Sequence, residues 1–364
     1  MIIGIPKEIK NNENRVGLNP ESVRILTEAG HKVIVETSAG QGIYAFDEDY
    51  ITVGAEIMPD AESVFAKADM IVKVKEPQPS ETAMLRENQI LFTYLHLAPD
   101  PVQARGLLDS GCVAIAYETV TGENGRGLPL LQPMSEVAGR MAPMMGTFYG
   151  AKHFGGRGHL ISGVSGTQSM NVLILGGGIS GFNAAQIAAG MMANVTILEL
   201  NDERVAQLND YFGGNVWAMK STPDILDTLL PHADMVIGAV LVPGASAPKL
   251  IKRDMLSVMK PAAIMVDIAI DQGGCFETSK PTTHADPIYQ VDGINHYCVA
   301  NMPGAYPLTS TAALNIATLP YIMDIADKGW ERALQDRKGF MDGLNVKHGK
   351  IVHPAVAEAL GLTL

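Results

Sequence analysis

Cysteine is scarce. Three occur in 364 residues, Cys112, Cys275 and Cys298, with no Cys-x-x-Cys pair and no Cys/His spacing of a metal site. A scattered, odd-numbered set excludes a disulfide scaffold. It suits a reducing cytoplasm in which the thiols are small buried apolar groups. Long apolar runs are absent as well. No stretch of about eighteen apolar residues is free of glycine breaks and polar residues, so no transmembrane helix is expected. The opening MIIGIPKEIK lacks the charged and apolar regions of a signal peptide and reads as a first strand. Basic residues are in deficit, 27 against 39 acidic, for a net charge of −12. That balance, with no basic stripe, argues against nucleic acid or an anionic membrane surface as partner. The GxSxG nucleophile elbow, the P-loop lysine and the HExxH helix are all missing.

What is present is apolar and rich in glycine. With 47% hydrophobic and 18% charged residues, the chain can bury a large core, and its length favours two domains. The most informative stretch is 171–199, NVLILGGGISGFNAAQIAAGMMANVTILE. An apolar strand, 172–175, runs into the turn Gly176-Gly177-Gly178-Ile179-Ser180-Gly181. A helix of small residues follows, over 183–192. A second strand, 195–198, ends on Glu199. Strand, tight turn, helix, strand and acid within about thirty residues form the signature of a dinucleotide-binding βαβ unit. Gly176 permits the turn, Gly178 leaves room for a pyrophosphate, and Gly181 lets the helix lie close to the strand. The helix N-terminus offers unpaired N–H groups to phosphate. Glu199 can accept from a ribose 2′-OH and repels a 2′-phosphate, which favours NAD over NADP.

The same alternation recurs along the chain. Strands are expected at 2–5, 32–36, 70–74, 90–94 and 113–116. Helices are expected from Asn19 and Pro20 to about Ala29, over 47–53, 60–66 and 80–85, and over 100–110 to Gly111. A longer helical stretch, 129–150, links this region to a second alternating unit. Later strands there are expected at 216–218, 235–238, 264–267 and 296–299. The segment from Thr311 onward reads as mostly helical. The fold class is therefore α/β: two Rossmann-like doubly wound domains separated by an active-site cleft. The substrate domain spans 1–128, with 305–364 crossing back to it, and the dinucleotide domain spans 129–304.

Ligands of open α/β sheets bind beyond the carboxyl ends of the strands. Polar residues at such ends are the candidates for chemistry. Arg15 lies on a polar loop after the first strand, and a guanidinium is the natural bidentate partner of a carboxylate. Lys75 follows a strand whose period of two places it on the face of Lys73. It could polarise a carbonyl or pair with a carboxylate, or else form a simple charge pair with Glu76. His96 stands just past an apolar strand and suits proton transfer near neutral pH. Asp271 closes the run 265–271 before Gln272-Gly273-Gly274 and could act as acid or base, or cap the bend. Ser135 and Ser221 could bind cofactor hydroxyls or cap helices. The nineteen methionines suit core filling.

With these residues in view, the chain resembles the alanine dehydrogenase family over nearly its whole length. The stretches that carry the resemblance are Gly4-Ile5-Pro6-Lys7-Glu8 with Asn14-Arg15-Val16, Lys73-Val74-Lys75-Glu76-Pro77 and Tyr94-Leu95-His96-Leu97-Ala98. They continue with Pro133-Met134-Ser135-Glu136-Val137-Ala138-Gly139, the glycine turn, 239–244, 266–274 and Val299-Ala300-Asn301-Met302-Pro303-Gly304. The NAD-binding part of proton-translocating transhydrogenase and the saccharopine-type dehydrogenases are related.

The resemblance implies that Arg15 and Lys75 hold the carboxylate and carbonyl of alanine or pyruvate. It implies that His96 and Asp271 are the proton-transfer pair, with their division of labour open. Ser135, Gly178, Ile179, Glu199, Arg204, Ser221, Val240, Leu241, Ile268, Ala269, Ile270, Asp271, Lys280, Val299, Ala300, Asn301 and Met302 match cofactor-contacting positions. Glu199 and Lys280 stand where Asp and Arg are common. Asp324 and Lys328 match positions where some members hold a metal through an acid and a histidine. A protonated lysine cannot coordinate, so no metal is expected. A cytoplasmic homohexamer is implied. The expected reaction is reversible, NAD-dependent oxidative deamination of L-alanine to pyruvate and ammonium. The alternatives are an NAD(H)-binding transhydrogenase-like component, disfavoured by the lack of a membrane segment, and a non-catalytic NAD-binding regulator.

Overall fold

Short, largely apolar runs, most of them followed by a turn and a helix, build two sheets. In chain order the strands are β1 (Ile2–Ile5), β2 (Lys32–Glu36), β3 (Glu56–Met58), β4 (Met70–Val72), β5 (Ile90–Thr93), β6 (Val113–Ala116), β7 (Asn171–Leu175), β8 (Asn194–Glu199), β9 (Val216–Lys220), β10 (Met235–Gly238), β11 (Ile264–Asp267), β12 (Ile288–Val291), β13 (Ile294–Tyr297), β14 (Leu344–Lys347) and β15 (Lys350–Ile351). The computed structural model describes residues 1–240 and 247–362. The chain divides into two units, residues 1–134 with 304–364, and residues 135–303.

In the first unit the sheet runs β15-β14-β6-β5-β4-β1-β2-β3. The six strands from β3 to β6 are parallel, with Ile3 opposite both Val33 and Met70. β14 joins antiparallel to β6, and β15 to β14. Every residue of β4, β5 and β6 is buried, as parallel strands covered on both faces require. The helix Pro20–Glu28 starts as its residues dictate: Asn19 accepts from the Ser22 N–H and Pro20 occupies the first turn.

The second unit repeats the plan. Its sheet runs β12-β13-β11-β10-β7-β8-β9, parallel except for β12 at the edge. In each unit the first strand lies between the second and the fourth, so the chain leaves adjacent strands in opposite directions. That switch point, β1/β4 in one sheet and β7/β10 in the other, opens a crevice at the carboxyl ends.

Several boundaries differ from expectation. β4 stops at Val72, not Val74, although the Lys73 N–H still donates to the Phe92 carbonyl at 3.2 Å; the Lys73 side chain goes to buried ion pairs. The last parallel strand of the second sheet is Ile294–Tyr297 rather than 296–299. Three stretches form strands that the apolar pattern does not announce: β3, β12 and the β14–β15 hairpin. The last of these interrupts the helical run expected after Thr311. No helix among the described residues is long and apolar enough to cross a membrane.

Candidate active site

In the first unit, charged side chains converge where β1 and β4 end. Arg15 is 2% exposed. Its Nε and Nη2 donate to the two Glu13 carboxylate oxygens at 2.6 and 2.5 Å, and Nη1 lies 3.0 Å from the Met134 sulfur. Burial disfavours the charged guanidinium, but the Glu13 hydrogen bonds and charge more than offset it, so Arg15 is held above its ordinary pKa. Its loop is fixed from the helix Pro307–Lys328. Asn315 accepts from the Asn19 N–H at 2.7 Å and donates to the Gly17 carbonyl at 2.7 Å, and Thr311 lies 3.4 Å from the Val16 N–H. A Cβ on Gly17 would meet the Val72 carbonyl oxygen at 2.4 Å, so the loop passes β4 as closely as backbone allows. A cleft of about 310 Å³ opens beside it, lined by Lys7, Glu8, Glu13, Asn14, Arg15 and residues of the turn after β2.

Lys75 is buried, and its carbonyl accepts from the Thr93 hydroxyl at 2.9 Å. The neighbouring Glu76 pairs with Lys10. Beneath Lys75, fully buried Lys73 bridges Glu8 at 3.0 Å and Glu81 at 2.7 Å. Glu8 also accepts from the Val74 N–H at 2.6 Å and the Lys75 N–H at 3.4 Å. Burial raises the Glu8 carboxyl, with Lys73 pulling the other way. Glu8, Lys73 and Glu81 thus form the ionic floor on which Lys75 is mounted.

His96 follows β5 with φ 45°, left-handed backbone that costs a non-glycine residue about 1–2 kcal/mol. Its imidazole stacks on the Tyr94 ring at a centroid distance of 5.8 Å, and Nδ1 lies 3.8 Å from a Glu76 oxygen. Arg15, Lys75 and His96 therefore all lie at the carboxyl ends of β1, β4 and β5, neighbours in one sheet.

In the second unit, Gly176 turns out of β7 at φ 99°. A Cβ on Gly181 would sit 1.8 Å from the Gly176 carbonyl oxygen, so only glycine allows the helix Ile179–Gly190 to start this close to the strand. Nothing lies within 4 Å of where a Gly178 Cβ would be, and no side chain caps that helix. The N–H groups of its first turn therefore face open space, as a pyrophosphate needs. Glu199, at the end of β8, accepts from the Gly177 N–H at 2.8 Å and the Asn201 N–H at 2.9 Å. Arg204 donates to the Gly177 carbonyl at 2.8 Å. Turn, acid and arginine form one hydrogen-bonded rim.

Other candidates surround that rim. The Ser135 carbonyl accepts from the Ser180 hydroxyl at 3.1 Å, and the Ser221 N–H donates to the Glu199 carbonyl at 2.8 Å. Val240 follows β10, and its carbonyl lies 3.8 Å from the Cys275 sulfur. Leu241, with residues 242–244 of the same motif, lies outside the described residues. Ile268, Ala269, Ile270 and Asp271 form the 3₁₀ turn after β11. Lys280 projects over the Tyr289 ring at 4.4 Å, and its N–H donates to the Tyr289 hydroxyl. Val299, Ala300, Asn301 and Met302 follow β13, with Asn301 at φ 60°.

The turn bearing exposed Asp271 is organised by Asp267, which the sequence does not single out. Buried Asp267 accepts from the Ala269 N–H at 3.1 Å, the Cys275 N–H at 2.8 Å and the Ser279 hydroxyl at 2.5 Å. Glu8, Glu81, Glu118 and Asn315 are likewise missed, since each acts on residues remote in sequence, and Glu13 is missed although it pairs with Arg15 only two residues on. Asp324 is engaged by Lys328 at 2.9 Å and by Arg337 at 2.8 and 2.6 Å.

Comparison with known proteins matches residues 4–138 to the alanine dehydrogenase/PNT N-terminal domain and residues 142–354 to the alanine dehydrogenase/PNT C-terminal domain. The chain belongs to the alanine dehydrogenase/PNT family. It is 54% identical to alanine dehydrogenase of Halomonas elongata, covering 100% of this chain and 97% of that protein. It is 50% identical to alanine dehydrogenase of Methanococcus maripaludis, covering 99% and 96%. Among solved structures, an L-alanine dehydrogenase superposes with a TM-score of 0.95 at 47% identity, covering 99% of each chain. A transhydrogenase from Sinorhizobium meliloti, at 23% identity and a TM-score of 0.81, shares the fold. The two domains of the alanine dehydrogenase/PNT family thus account for both sheets.

Proposed function

We propose that this chain catalyses the reversible oxidative deamination of L-alanine to pyruvate and ammonium, with NAD as acceptor. The observation that carries the reading is the buried Arg15 guanidinium at the β1/β4 switch point, lining a cleft large enough to admit a small acid. Arg15 binds the substrate carboxylate as a planar, permanently charged donor. Lys75, mounted on the Glu8–Lys73–Glu81 cluster, balances charge at the amine or carbonyl end. His96 and Asp271 carry protons between the amino group, the water that adds to the imino carbon, and bulk solvent. The glycine turn, Glu199 and Arg204 hold the dinucleotide, and the Glu199 charge disfavours a 2′-phosphate. NAD, when bound, accepts the hydride from the substrate Cα.

The test is L-alanine-dependent NADH formation by the purified protein. His96→Ala and Asp271→Asn each lower kcat by about 100-fold or more while NADH binding persists. Full turnover in both variants would discard these roles, and NADH binding without turnover on any small amino acid would leave a regulator. A chelator leaves the rate unchanged if, as proposed, no metal takes part.

A further inference from the structure

We propose that Glu118 is the positioning residue for His96, a carboxylate clamp on the backbone that sets where the imidazole stands. This rests on the proton-transfer role assigned to His96 above. Glu118 lies in the 3₁₀ turn Tyr117–Thr119 after β6, next to the end of β5 in the sheet. Its carboxylate gathers two successive peptide N–H groups. Leu95 donates to both oxygens at 3.2 Å, and His96 donates to Oε1 at 2.6 Å. Convergent N–H groups of this kind form an anion-binding nest, filled here by the protein's own carboxylate. The far side of the same peptide is fixed as well: Gln103 donates to the Leu95 carbonyl at 3.0 Å.

The clamp explains the backbone. His96 sits at φ 45°, a conformation an L-residue keeps only when its surroundings over-determine it. Charge-assisted hydrogen bonds from two successive N–H groups, at and just before that residue, are such a constraint. With the backbone held there, the ring stacks on Tyr94 and turns Nδ1 toward Glu76. Tyr94 is itself fixed, its hydroxyl donating to the Leu130 carbonyl at 2.6 Å and its ring meeting Tyr117 edge-on at 5.1 Å. Released from Glu118, the His96 peptide relaxes toward negative φ and carries the imidazole off its station.

The experiment compares Glu118→Gln, Glu118→Asp and Glu118→Ala with the parent enzyme, using steady-state kinetics and hydrogen exchange read by mass spectrometry. Glu118→Gln keeps the shape of the side chain, so a folded variant is in hand if alanine disrupts the turn. In Glu118→Gln and Glu118→Ala, kcat falls about tenfold or more, because misplacing a reacting group is costly. The KM for L-alanine and the NADH dissociation constant stay within about twofold. Exchange over residues 94–98 quickens while that of β1 is unchanged, and Glu118→Asp recovers part of the lost kcat. Parent-like kcat in all three variants, or a KM that rises in step with the loss, overturns the proposal. Unchanged exchange over 94–98 in Glu118→Gln overturns the clamp alone. Full activity in His96→Ala overturns the catalytic reading of His96, and with it the consequence for turnover, even where the exchange result stands.

Discussion

A guanidinium taken out of water is tolerable only beside a compensating charge, and Glu13 supplies that charge to Arg15 through two parallel hydrogen bonds. Removing the acid strands a buried cation. Glu13→Ala is therefore expected to lower the unfolding free energy by about 3 kcal/mol, measured by urea denaturation. Arg15→Lys keeps the charge but loses the fork. It should raise the KM for L-alanine on the order of tenfold or more with the fold intact, a split that steady-state kinetics reads directly. The sequence places Arg15 in a polar loop, where a solvated side chain is the ordinary outcome. The backbone just after it is held by Thr311 and Asn315, which lie far along the chain, and no local pattern announces that pairing. The identity of Arg15, Lys75 and His96 as strand-end residues is legible. The acids that hold them, Glu13, Glu8 and Glu118, are not, because a lone acid in a loop reads the same whether solvated or buried.

Elements whose cause is local are the ones a reader of the chain can find. The turn from β7 into its helix is written in consecutive residues, and two substitutions test it. Gly181→Ala drives a methyl into the Gly176 carbonyl and should destabilise the second unit, with loss of NADH binding by titration. Gly178→Ala meets nothing in the protein, so thermal stability should be retained while NADH affinity falls. β3, β12, β14 and β15 have two to four residues each at or near sheet edges, and their pairing is dictated by distant partners. Asp234, just before β10, shows a similar dependence. Burial raises its pKa, but Lys260 at 2.8 Å, the Asn171 N–H at 3.0 Å and His159 at 3.3 Å outweigh that, and the net shift is downward. A carboxyl lowered in the folded state stabilises above its unfolded pKa of about 3.9 and loses that contribution as pH falls through the lower folded value. Urea midpoints measured from about pH 5 to pH 2 should fall less steeply in Asp234→Asn than in the parent.

Taken as a whole, the molecule keeps its thiols inside. Cys112, Cys275 and Cys298 are free and fully buried, and burial pushes their thiols up to about 11, about 12 and about 11. A thiol reagent near pH 8 should find no fast-reacting group in the native protein and three after unfolding. A ligand that binds only the folded state adds stability by mass action, so NADH at about 100 times its dissociation constant should add about 2.7 kcal/mol. β14 sits antiparallel against β6, although the two are separated by the entire second unit. On the ribosome, the outer edge of β6 therefore emerges long before the strand that seals it. At about 5–20 residues per second, the nascent amino-terminal sheet stays open along that edge for about 10–50 s. For that interval, an unpaired backbone rim is available to chaperones or to another nascent chain.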